Sequence, residues 1–145
     1  MGVGLFAAGF LMESLSDHQL QQHLKDPNPD KGKFCKRGFW RYSRHPNYFG
    51  ESLLWFGIFC FALYTPKGYW TVFSPLFITL LLKYVSGVPL LERKQRKHPE
   101  WAKYEAETNV FCPWVVDYEG GMKAQALRDK MEADGQTDDK FKAAD

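Results

Sequence analysis

Two apolar blocks joined by four residues constrain this chain more than any other feature. Residues 53–64, "LLWFGIFCFALY", carry no charge. A helix begun near Gly50 and stopped by "TPKG" at 65–68 is about 24 Å long at 1.5 Å rise per residue. That is short for a bilayer, but it suffices when aromatic and charged side chains anchor the ends. Residues 69–91, "YWTVFSPLFITLLLKYVSGVPLL", are long enough to span, with Lys83 as the lone charge. The linker is too short to do anything but reverse the chain, which predicts an antiparallel hairpin of helices. The expected fold is therefore all-α and multi-pass transmembrane: a helical hairpin, a truncated preceding helix and a C-terminal amphipathic helix.

The hairpin has a geometric consequence. The start of its first helix, near Glu51, and the end of its second, near Glu92, fall on one side of the membrane. Just outside those points lie two basic clusters: Lys31, Lys33, Lys36, Arg37, Arg41 and Arg44, and then Arg93, Lys94, Arg96 and Lys97. Basic loops stay in the cytosol, so this end is expected to face it, in the endoplasmic reticulum or another endomembrane. Trp40, Tyr42, Tyr48, Trp55, Tyr69, Trp70, Trp101 and Trp114 flank the blocks as an interfacial belt would. Residues 1–11, "MGVGLFAAGFL", lack the basic start and cleavage site of a signal peptide, and read as the end of a helix whose beginning is missing. Residues 1–115 form the membrane domain. Residues 116–145 read as a polar tail, with one exposed helix near "MKAQALRDKMEA".

Composition narrows the function classes. A formal net charge of +2 is too small to argue for nucleic acid. Cys35, Cys60 and Cys112 are odd in number and far apart, with no CxxC pair and no HxxxH or HExxH spacing, so no metal site is expected.

Polar side chains at the lip of a hydrocarbon layer are costly to desolvate, so a crowd of them calls for a ligand or for specific partners. Glu13 and Asp17, four apart, share a helix face. They either meet hydroxyl or amide groups or end an apolar helix in water. In "RYSRHPNYFGE", Pro46 disfavours helix at His45, so the chain turns there before a new helix. Arg41 and Arg44 offer forks suited to phosphate, and Asn47 has both a donor and an acceptor. Gly50 permits close backbone approach, and Glu51 can accept from hydroxyls or hold an arginine. The segment is a binding site or a juxtamembrane cuff. In "LLERKQRKHPEWAKYEAETNVFCPW", Glu92 and Arg93 fall beside that set, and the amphipathic part ending at Tyr104 folds back over it or lies on headgroups.

The stretches "LMESLSDHQL", "GFWRYSRHPNYFGESLLWFG", "SGVPLLERK" and "YEAETNVFCPW" together resemble the C-terminal half of the steroid 5α-reductase-like membrane family, over about residues 5–115. The RHPNYFGE core is also similar to that of sterol C14- and C7-reductases and, more distantly, isoprenylcysteine carboxyl methyltransferases. The resemblance implies an enzyme that binds NADPH in a cytosol-facing pocket and reduces a carbon–carbon double bond in a lipid or steroid-like substrate. It implies cofactor contacts from Asp17, Asn47 and Glu51, then Arg44, His45 and Tyr48, then Lys33, Arg93 and Tyr104. Two departures stand out. The steroid reductases proper lack this RHP form, and their substrate-contacting acid and tyrosine come from N-terminal helices absent here. No catalytic residue, substrate identity or oligomeric state follows from the sequence. Competing readings are an S-adenosylmethionine-dependent membrane methyltransferase and a non-catalytic membrane remnant.

Overall fold

The computed structural model describes residues 1–113. Trp114 and the expected tail with its helix lie outside them. The regular elements among the described residues are all helical, with no strand beyond an isolated bridge between Ser43 and Asn109. Helix α1 runs Gly2–Lys25, α2 Pro46–Ala62, α3 Phe73–Leu80, α4 Val88–Gln95 and α5 Trp101–Glu107. The second helix starts where proline is best tolerated, with Pro46 in its first turn, where a missing N–H costs nothing.

Three glycines set the α1–α2 contact. A Cβ added at Gly9 would strike the backbone of Gly50 and Leu54, one at Gly50 the backbone of Gly9 and Glu13, and one at Gly57 the backbone of Phe6. Rising numbers on α1 meet falling numbers on α2, so the helices are antiparallel, with main chains closer than side chains on both would allow. The 65–68 reversal is tight: Lys67 takes a left-handed φ of 63°, and a Cβ at Gly68 would run into the Ala62 carbonyl.

The run Gly68–Gln95, 28 residues, is long and apolar enough to cross a membrane, and it is the one such helix among the described residues. Regular α geometry does not hold throughout it. It opens with a 3₁₀ segment, Gly68–Val72, and widens into a π turn, Leu81–Val85, that contains Lys83. Ser86 N reaches back five residues to the Leu81 carbonyl at 2.8 Å. Pro89 has no N–H for the Val85 carbonyl, so the α ladder cannot run unbroken past this point.

At the other end of the bundle, residues 31–45 form a strap over the last half of α1. The Lys31 ammonium caps that helix, donating to the carbonyls of His23 at 2.9 Å, Leu24 at 3.4 Å and Asp26 at 2.6 Å. A cation suits a helix C-terminus, where unpaired carbonyls gather negative charge. The Phe39 amide donates to Gln19 Oε1 and the Trp40 indole to the Ser16 carbonyl. Phe34, Trp101 and Tyr104 then form a small aromatic core that fastens α5 onto the strap.

The aromatic-belt expectation needs correction here. Trp40 and Trp101 are buried, at 7% and 3% exposure, with their indole N–H groups bonded to protein. They pack the cap and do not lie at a lipid boundary. Tyr69 and Trp70, by contrast, are exposed beside the turn.

Candidate functional site at the strap end of the bundle

The strap delivers Ser43–Asn47 to the mouth of the bundle. Arg44, 6% exposed, is fully engaged there. Its Nε donates to Glu92 Oε1 at 2.8 Å, and its Nη1 donates to the carbonyls of Glu105 and Thr108, each at 2.9 Å. The guanidinium lies 5.6 Å from the Trp101 ring centroid. The backbone continues the attachment: Arg44 N donates to the Asn109 carbonyl, and Ser43 Oγ to that of Phe111. One arginine thus ties the strap, α4 and the segment after α5 together.

His45 is buried beside it, with Nε2 3.3 Å from the same Glu92 oxygen and its ring stacked on Tyr48, centroids 5.4 Å apart. The other Glu92 oxygen meets Arg96 at 3.5 Å. The sequence reading placed Glu92 next to the RHPN segment, and the structure puts it in contact with both Arg44 and His45.

Asn47 turns the other way, toward α1, where its Nδ2 donates to Asp17 Oδ1 at 3.0 Å. Its Oδ1 is buried and has no hydrogen-bond partner among the described residues. Asp17, Glu13 and Glu51 stand close enough for Glu13 to feel the charge of the other two, and Tyr48 feels Asp17 and Glu51. The structure therefore gathers Asp17, Asn47, Tyr48 and Glu51 where α1 meets the start of α2.

The remaining predicted residues lie elsewhere. Tyr104 is 3% exposed; its ring stacks on Phe34 at 5.0 Å, and its hydroxyl donates toward the carbonyls of Cys35 and Trp40 at 3.4 and 3.5 Å. Burial pushes its phenol well above the ordinary tyrosine range, so it stays a neutral donor. Lys33 is an exposed strap residue whose amide donates to Glu100, and Arg93 is exposed on α4. The carbonyls of Glu105, Thr108, Asn109 and Phe111 were not foreseen, because main-chain acceptors leave no mark in side-chain composition.

A family model described as "Protein of unknown function (DUF1295)" matches residues 1–108. The chain belongs to this family, which is the steroid 5α-reductase-like family. The RHPNYFGE core lies wholly inside the match. Among curated relatives, the chain is 31% identical to human 3-oxo-5-alpha-steroid 4-dehydrogenase 1, over 70% of this chain and 34% of that protein. The enzyme of the same name from Macaca fascicularis is also 31% identical, with 33% of its length covered. An uncharacterised protein of Schizosaccharomyces pombe is 25% identical over 82% of this chain and 42% of its own length. The DUF1295 chain thus spans between a third and just over two fifths of these relatives. No solved structure matches it.

Proposed function

We propose that this chain is part of a membrane-embedded, multi-pass, NADPH-dependent reductase of a carbon–carbon double bond in a lipid or steroid-like molecule. The observation that carries this reading is the Asn47 carboxamide, with its N–H held by Asp17 and its buried Oδ1 left without a partner among the described residues. Leaving a buried acceptor unmet costs free energy, so the orphaned oxygen calls for a ligand N–H or O–H. The donor set fits the cofactor: Asp17 and Glu51 accept from ribose hydroxyls, Asn47 meets an amide, and Tyr48 lends a ring and a phenol.

Lys33 and Arg93, exposed and cationic, supply charge for the phosphates at the rim. Arg44, His45 and Tyr104 serve the same site from behind, because their polar atoms are already committed to Glu92 and to main-chain carbonyls. When bound, NADPH would supply a hydride for the β-carbon of an enone-like lipid, leaving as NADP⁺, and a protein acid or a water would give the proton to the α-carbon. The apolar faces of α2 and α3 keep the reacting region dry, and the basic strap keeps its open end toward the cytosol.

The test is a titration of purified protein in detergent. Saturable NADPH binding, weakened in Asn47→Ala and Glu51→Ala, is the expected result. Its absence, or tight S-adenosylmethionine binding that NADPH does not displace, overturns the reading.

A further inference from the structure

Four acidic groups at the strap end already hold cationic partners. Glu92 holds Arg44, His45 and Arg96, while Glu105 holds Arg96 and the Trp101 indole. Glu107 pairs with Lys36 and Asp26 with Arg37. Lys94 and Lys97 are exposed and make no ion pair among the described residues.

Helix geometry places Lys94. Glu92 faces the Arg44 clasp, so a position about half a turn away faces outward at 3.6 residues per turn. Leu90 and Lys94, four apart, occupy that outward face, and Lys97 lies two residues past the end of α4, in the turn that follows it. Leu90 is 53% exposed. Leu80, Tyr84 and Val85, earlier in the membrane-length run, are exposed as well. The exposed Leu90 thus gives way to the Lys94 ammonium about one turn on, and to that of Lys97 just beyond the helix end. That is the order of chemistry along a phospholipid, from acyl chain to charged headgroup.

We propose that the outward face of α4 at Leu90 and Lys94, with Lys97 in the turn that follows, seats an anionic phospholipid, its acyl chain against Leu90 and its headgroup against Lys94 and Lys97. The proposal rests on the membrane placement of Gly68–Gln95 and is independent of the reductase chemistry. The phosphate alone is common to all phospholipids, so a net negative headgroup such as phosphatidylserine is the one two cations select over zwitterionic phosphatidylcholine.

The test places wild-type protein in nanodiscs of mixed phosphatidylserine and phosphatidylcholine and counts retained lipids by native mass spectrometry. Wild type is expected to favour phosphatidylserine on the order of tenfold, from two cations at a membrane surface. Lys94→Gln with Lys97→Gln should reduce that preference to about twofold or less, and Lys94→Arg with Lys97→Arg should keep it. Equal retention by wild type and the glutamine pair overturns the proposal. So does displacement of the lipid by inorganic phosphate, which makes a soluble anion the ligand. NADPH titration of the glutamine pair separates the two sites: unchanged binding is expected, and parallel loss of lipid and nucleotide would assign these lysines to the nucleotide. A wild-type protein that keeps the lipid preference yet binds no NADPH ends the reductase reading alone.

Discussion

Arg44 and Glu92 form a buried ion pair, and the behaviour of such pairs is asymmetric. Removing one partner leaves the other charge in an apolar site, at about 3–5 kcal/mol, while replacing both with apolar groups is often far milder. Glu92→Ala is therefore expected to lower stability by about 3–5 kcal/mol, and Arg44→Met with Glu92→Leu to recover much of that, read as unfolding midpoints in detergent. An equal loss in both variants would contradict the pairing. At Asn47 the expected effect is on binding: Asn47→Ala should weaken NADPH affinity by about 1–3 kcal/mol with little change in unfolding, measured by calorimetry. Cys35 offers a third check. Burial pushes its thiol up, partly offset by a hydrogen bond from the Arg37 amide, so maleimide should modify it roughly tenfold or more slowly than the half-buried Cys112. That Arg44, His45 and Asn47 would take polar partners was legible, because charged and amide groups beside an apolar block need them. Which partner each takes was not. Arginine suits phosphate and backbone carbonyls equally well, and only the fold decides between them.

At the level of elements, the α1–α2 packing depends on Gly9, Gly50 and Gly57. Gly9→Val should cost about 1–3 kcal/mol or more by forcing two backbones apart, visible as a lowered unfolding midpoint. The register makes a sharper prediction. A Cβ at Gly2 would stand 2.9 Å from Cys60 Cβ, while one at Gly4 meets nothing within 4 Å. Gly2→Cys should thus cross-link to Cys60 under mild oxidation and Gly4→Cys should not, as judged by mobility on a non-reducing gel. The hairpin and its tight reversal were readable from hydropathy and from "TPKG". The π turn was not, because a run of apolar residues carries no mark that separates a return bond over five residues from one over four. Trp40 and Trp101 were misjudged for a related reason: tryptophan suits both a lipid boundary and an aromatic core.

For the whole molecule, the strap, α4 and α5 close one end of the bundle while the 65–68 reversal marks the other. In sealed vesicles, with native cysteines replaced, Lys25→Cys and Lys67→Cys are expected to react with a membrane-impermeant maleimide from opposite sides. Labelling of both from one side would remove the hairpin across the bilayer. The clasp around Arg44 also bears on biosynthesis. Its carboxylate at Glu92 and its carbonyl acceptors at Glu105 and Thr108 follow it in the chain by 48, 61 and 64 residues. While the ribosome is still translating that stretch, the guanidinium has to remain hydrated outside the lipid. That end of a nascent chain therefore stays open until translation has passed Thr108, and a stall before that codon leaves the polar mouth exposed to quality-control proteases.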